Sequence, residues 1–220
     1  MKINEIFKSI SGEAARAGYP VTFIRTFGCS LLCKYCDTLY AIRGNDYSEM
    51  TPHEILTKCQ ELGLKRVVLT GGEPLIQKDA AELCNLLCAN GFEVEIETNG
   101  KENLVEFDLH ITQECRKNLT YTMDYKTFAS GMQDQMCHAN LPFLTDKDVI
   151  KFVVGSHDDL DLMATVLDNN DIKAQVFVSP VFGKIEPKDI VQFILNHNLT
   201  ECRVQLQLHK FIWPVDMRGV

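Results

Sequence analysis

Short runs of β-branched and aromatic residues alternate with amphipathic, capped segments along most of this chain, and few architectures accept that rhythm. Thr51 caps a helix, Pro52 suits its first position and Glu54 completes a capping box. Ile55, Leu56, Cys59 and Leu62 then share one face until Gly63 ends the helix. Further helices are expected around Lys78 to Asn90, from the Ser156 cap to Leu167, and from Pro187 through Asn196. Strands are expected at Val21 to Phe27, Lys65 to Thr70, Phe92 to Glu97, Phe107 to Ile111, Leu119 to Asp124, Val149 to Val154, Ala174 to Ser179 and Arg203 to Leu208. Repeated βαβ units imply an α/β fold with a mainly parallel sheet, in which about six or seven of these strands, separated by capped helices, stand against the eight of a complete barrel.

At 220 residues the chain fits one domain, 1–220, and 45% hydrophobic with 24% charged residues is ordinary for a packed core. A net charge of -8 argues against a nucleic-acid partner, which needs clustered Lys and Arg. Asn4, Glu5 and Lys8 break the first apolar run, so no signal peptide is read, and no stretch reaches membrane-spanning length. A cytoplasmic protein is expected. Nine cysteines without an export signal favour free thiols or metal ligands over disulfides.

Three of them lie close together in Cys29-Ser-Leu-Leu-Cys33-Lys-Tyr-Cys36, just past the first strong strand. Three thiolates can hold an iron-sulfur cubane with one iron left open, or contribute to a structural zinc. Zinc would want a fourth ligand and usually a second CxxC knuckle, and the other cysteines (59, 84, 88, 115, 137 and 202) never take that spacing. Cys59, Cys84 and Cys88 fall on apolar helix faces and read as core residues.

The remaining unusual residues follow strands. Gly71-Gly72-Glu73-Pro74, Glu97-Thr98-Asn99-Gly100, Asp124-Tyr125-Lys126, Gln207 and His209 all fall where a parallel barrel forms its active face. Gly71 and Gly72 would let backbone approach a ligand, and the Glu73 carboxylate could accept from an ammonium group. Arg25 offers a fork for a carboxylate, or else an ion pair with Glu13 or Glu97. Asp37 and Thr38 carry hard oxygens of the kind Mg²⁺ accepts.

The CxxxCxxC loop with Tyr35 before its last cysteine, followed by an intact Gly-Gly-Glu-Pro, resembles the radical S-adenosylmethionine enzymes. That resemblance implies a partial (β/α) barrel, a 4Fe-4S cluster on Cys29, Cys33 and Cys36, and S-adenosyl-L-methionine (SAM) on its open iron.

Three passages narrow the likeness: Glu5-Ile-Phe-Lys-Ser-Ile-Ser-Gly-Glu13, Phe23-Ile-Arg-Thr-Phe-Gly-Cys29 with Cys36-Asp-Thr38, and Gln207-Leu-His-Lys-Phe-Ile-Trp213 with Arg218-Gly-Val220. Together they resemble the 7-carboxy-7-deazaguanine synthase family of the queuosine precursor pathway, across nearly the whole chain. The family's activity would be conversion of 6-carboxy-5,6,7,8-tetrahydropterin to 7-carboxy-7-deazaguanine with loss of ammonia. The resemblance assigns Tyr35, Asp37, Gly72, Glu73, Asp124, Tyr125 and Lys126 to SAM, and Thr38 to Mg²⁺. It assigns Ile10, Ser11, Gly12, Arg25, Thr70 and Val220 to the pterin, with the C-terminal tail as a lid. It also implies a homodimer and a reducing flavodoxin or ferredoxin. Ser11 and Ala14 depart from the family's usual Gln-Gly-Glu-Gly, and Lys126-Thr-Phe-Ala-Ser-Gly131 lacks an expected proline and paired serines. A glycyl-radical activase and a zinc-stabilised binding module are the alternative readings.

Overall fold

A computed structural model describes residues 1–214 and 217–220. Among the described residues one sheet of nine strands runs in the order β3-β1-β2-β4-β5-β6-β7-β8-β9. The strands are β1 Lys2–Ile10, β2 Pro20–Thr26, β3 Ser48–Glu49, β4 Arg66–Gly71, β5 Glu93–Thr98, β6 Leu119–Tyr125, β7 Val149–Val154, β8 Gln175–Pro180 and β9 Cys202–Val204. From β2 to β9 every neighbouring pair is parallel, and β1 pairs antiparallel with β2 and with β3. The expected parallel α/β architecture is present as a partial, open (β/α) barrel.

Helices α1 Pro52–Leu62, α2 Ala80–Ala89, α3 Leu104–Asp108, α4 Gln113–Asn118, α5 His157–Asp168, α6 Pro187–Asn196 and α7 His209–Ile212 connect the strands or follow them. The Thr51 side chain accepts from the Glu54 N–H at 3.3 Å while Glu54 accepts from the Thr51 N–H at 2.8 Å, completing the capping box. Cys59, Cys84 and Cys88 are buried, as the helical spacing implied. Ile55 of α1, Leu83 and Leu87 of α2, Leu160 and Met163 of α5 and Ile190 of α6 cover Ile24, Leu69, Ile96 and Phe152 of the sheet. Each such fully buried aliphatic side chain contributes about 1.5–3 kcal/mol relative to exposure.

Three expectations are corrected. Residues 107–111 are not a strand: the Asn103 side chain accepts from Val105 and Glu106 N–H groups and starts α3, overriding the apolar alternation of Phe107, Leu109 and Ile111. The last strand stops at Val204: Gln205 N–H still donates to the Val178 carbonyl at 2.9 Å, but the Gln205 and Gln207 side chains bond Ala14 and Glu13 of the loop after β1. The expected strands begin only at Val21, yet Lys2–Ile10 already forms β1.

The loop from 11 to 19 turns inward. Ala14 packs on Val149 and Phe177, Arg16 stands 3.5 Å from Glu95, and the Gln205 side chain both accepts from Ala14 N–H (2.5 Å) and donates to its carbonyl (3.1 Å). This loop and the segment after β9 thus bridge the gap that the open barrel leaves between β1 and β9.

Candidate active site

β2 ends at Thr26, and the chain turns through Gly28 into Cys29. The turn after β4 is bonded to it: Gly72 N–H donates to the Thr26 carbonyl at 3.1 Å and Glu73 N–H to the Gly28 carbonyl at 2.8 Å. A Cβ on Gly71 would meet the Thr26 carbonyl oxygen at 2.4 Å, and φ there is +148°. The glycine pair is therefore required by the approach of the cysteine-loop backbone, where the sequence had suggested only room for a ligand.

Cys29, Cys33 and Cys36 are free, half-exposed thiols on that loop. Cys29 Sγ receives the Leu31 N–H at 3.5 Å and the Asn99 side-chain amide at 3.6 Å, and Cys36 Sγ lies 3.6 Å from the Thr38 hydroxyl. Burial pushes the Cys29 and Cys33 thiols up, and the Lys126 ammonium pulls both down. Three thiols on one short loop, with two N–H donors aimed at Cys29 Sγ, fit a cluster of the iron-sulfur kind. A cavity of about 360 Å³ borders the loop, lined by Cys29 to Leu32 and by Gly131 and Met132.

Glu73 is 0% exposed and faces inward. Its Oε1 accepts from Leu75 N–H (3.0 Å) and the Thr98 hydroxyl (2.9 Å), and its Oε2 from Asn99 N–H (2.7 Å). Burial pushes its carboxyl up to about 7 against those hydrogen bonds. Glu73 thus clamps the end of β4 to the end of β5.

Asp124 and Lys126 project to one side of β6, and Lys126 Nζ is 2.7 Å from Asp124 Oδ2. Lys151 from β7 lies 3.0 Å from Asp124 Oδ1 and donates to Glu13 Oε2 at 2.8 Å. Burial would raise the Asp124 carboxyl, but the two ammonium groups hold it at about 2. Burial also pushes Glu97 up to about 7 against the pull of Lys151. Tyr125, between the paired charges, points to the opposite face and packs on Phe152 with ring centroids 5.3 Å apart. Its ring is therefore separated from the SAM-assigned side chains, by the two-residue period of the strand.

Arg25 and Thr70 are in register on neighbouring parallel strands. Arg25 pairs with Glu5 at 2.7 Å, not with Glu13 or Glu97, and Tyr40 also donates to that carboxylate at 3.0 Å. Ser11 is buried and donates to the Glu13 carbonyl at 3.1 Å, so its hydroxyl serves the inward loop. Gly12 abuts His209, where a Cβ would lie 2.3 Å from the ring, and Leu208 N–H donates to the Gly12 carbonyl at 3.0 Å. Ile10 ends β1 at the start of this loop. Asp37 pairs with Lys210 at 3.3 Å. The Tyr35 hydroxyl is buried with no partner among the described residues, an orphan that a bound ligand could satisfy. In the tail, Arg218 pairs with Asp46 at 2.9 Å and lies 3.7 Å over the Tyr40 ring, with Val220 half-buried beyond it.

Sequence reasoning missed Lys151 and Asn99. A lone lysine inside Val149-Ile-Lys-Phe-Val-Val154 was the available signal for the first. Asn99 was visible only as part of a strand-end turn.

An open parallel barrel carrying a three-cysteine loop beside a Gly-Gly-Glu-Pro turn defines a radical SAM protein, and residues 23–111 match the Radical SAM superfamily. A 7-carboxy-7-deazaguanine synthase of Clostridium acetobutylicum is 43% identical, covering 100% of this chain and 99% of that protein. One from Methanospirillum hungatei is 41% identical over 96% of this chain and 85% of its own. The crystal structure of QueE from Escherichia coli superposes with a TM-score of 0.75 at 24% identity, covering 94% of both chains. The chain belongs to the 7-carboxy-7-deazaguanine synthase family.

Proposed function

We propose that this chain converts 6-carboxy-5,6,7,8-tetrahydropterin to 7-carboxy-7-deazaguanine with loss of ammonia. The observation that carries the reading is the cysteine loop bonded through Thr26 and Gly28 to the Gly71–Pro74 turn, in a member of this family. Cys29, Cys33 and Cys36 would hold a 4Fe-4S cluster. The backbone at Gly72, with Tyr35, Asp37, Asp124 and Lys126, would hold SAM. When bound, cluster and SAM supply radical hydrogen abstraction, which the side chains of this protein could not perform.

The protein's own residues bind, orient and shield. Arg25 presents a guanidinium to the substrate carboxylate from a position already fixed by Glu5 and Tyr40. Thr70, beside it in register, and the Ser11–Gly12 loop would border the pterin. Thr38 would share Mg²⁺ with substrate. The tail ending at Val220 would close over the pterin and exclude water, and 1–220 would act as one domain. A homodimer and a reducing flavodoxin or ferredoxin are part of the proposal. Among the described residues no helix is long and apolar enough to cross a membrane.

Anaerobic reconstitution with iron and sulfide, then incubation with SAM, dithionite and the carboxypterin, tests this. The expected result is deazaguanine product by mass spectrometry, with iron uptake reduced in Cys33→Ser. A fully loaded enzyme that leaves the carboxypterin intact overturns the substrate assignment.

A further inference from the structure

We infer that Asn99 is a positioning residue that hydrogen-bonds the cluster ligand Cys29 and thereby sets the reduction potential of the cluster. The inference rests on the reading above that Cys29 binds a cluster.

Asn99 is only 7% exposed, and every polar group of its side chain is engaged. Its Oδ1 accepts from Lys101 N–H at 2.9 Å, while its Nδ2 donates to Ser30 Oγ at 3.3 Å and lies 3.6 Å from Cys29 Sγ. Its backbone N–H is held at 2.7 Å by the buried Glu73 carboxylate. Backbone and side-chain oxygen are thus both fixed, so the amide can swing in neither direction away from the sulfur. Gly100 follows at φ +80°, where a Cβ would meet the Asp124 carbonyl at 2.7 Å, and this fixes the turn from the other side.

An N–H donor to a thiolate ligand stabilises the cluster more in its reduced state, which carries the greater negative charge, and so raises the potential. Glu73 belongs to the turn assigned to SAM, so one hydrogen-bonded path runs from that turn through Asn99 to Cys29. A purely structural asparagine would need the Lys101 and Glu73 contacts alone, and aspartate would serve those equally well.

Asn99→Asp keeps the Lys101 acceptor and deletes the donor. Asn99→Ala deletes the donor without adding charge. The measurement is an anaerobic, EPR-monitored redox titration without SAM, with iron per chain and apoprotein Tm recorded for each variant. Both variants are expected to shift to more negative potential. Asn99→Asp should shift the reduction equilibrium about tenfold, or about 59 mV for one electron. An unchanged potential in both, a shift in Asn99→Asp alone, or folded variants that retain no iron would overturn the inference. A measurement on the unaltered enzyme guards against misfolded variants: protein labelled with 15N-asparagine should show a 15N hyperfine coupling to the reduced cluster, and its absence overturns the contact. Wild-type protein that takes up no iron would instead overturn the cluster reading itself, so the two failures are distinguishable.

Discussion

A Cβ placed on Gly72 would stand 2.0 Å from the carbonyl oxygen of Gly28, so the turn after β4 and the entrance to the cysteine loop fit together only because position 72 has no side chain. Gly72→Ala must push one backbone away from the other. Overpacking of this kind costs about 1–3 kcal/mol, which for a chain of this size lowers Tm by roughly 2–12 °C. Iron uptake should fall with it, since the displaced backbone carries Cys29. Thermal unfolding together with iron analysis checks this; a variant with the parent Tm and full iron would refute the interlock.

Glu73 accepts three hydrogen bonds and donates none. Glu73→Gln resembles the protonated carboxyl, which must also point a hydrogen at one of those donors, so the variant isolates the effect of ionisation. A pH signature accompanies it. The folded carboxyl, at about 7, lies above its ordinary 4.5, so the folded state keeps the proton longer and this group's contribution falls as pH rises from 4.5 through 7. Wild type and Glu73→Gln are therefore expected to be close in stability at pH 5, with wild type losing ground to the variant by pH 8. Urea unfolding at the two values measures it.

Asp124 behaves in the opposite sense. Its folded value of about 2 lies below the ordinary 3.8, so its stabilisation is complete above 3.8 and is lost as pH falls from there through 2. Asp124→Asn leaves Lys126 without its carboxylate and Lys151 with Glu13 alone, and is expected to cost about 3–5 kcal/mol near neutrality. The gap should be equal at pH 7.5 and pH 5 and narrower at pH 3. A gap independent of pH down to 3 would contradict the pairing.

The tail gives a kinetic prediction. Arg218 and Asp46 are largely exposed, so the pair contributes little to stability, about 0–1 kcal/mol. Arg218→Ala, or a few residues appended after Val220, should raise KM or slow turnover several-fold while leaving Tm nearly unchanged. An extended chain with full activity would rule out closure by the tail.

Wherever a local signal was strong, the sequence carried the fold. Thr51, Pro52 and Glu54 marked α1, Pro187 and Asn196 bounded α6 at both ends, and the β-branched run marked β7 from Val149 to Val154. β1 was not recognised because Asn4, Glu5 and Lys8 interrupt a strand whose partners lie across a hairpin. The residues that follow strands were legible as a group, since parallel topology brings their ends together. Their pairings were not. Glu5 meets Arg25 across 20 positions and Asn99 meets Cys29 across 70, and no periodicity encodes such contacts. Tyr125 stood next to the charged pair in sequence, yet the strand's alternation turned it away.

An unclosed sheet exposes two margins that another chain could use as a template for continued pairing. Here one margin, β9, is only three residues long with Arg203 at its centre, and the other is the two-residue β3 beside Lys2 and Ile3 followed by the rest of β1, which carries Glu5 and Lys8. Brevity and charge make both poor seeds for fibril-like stacking, so the protein can leave its barrel incomplete without inviting self-polymerisation.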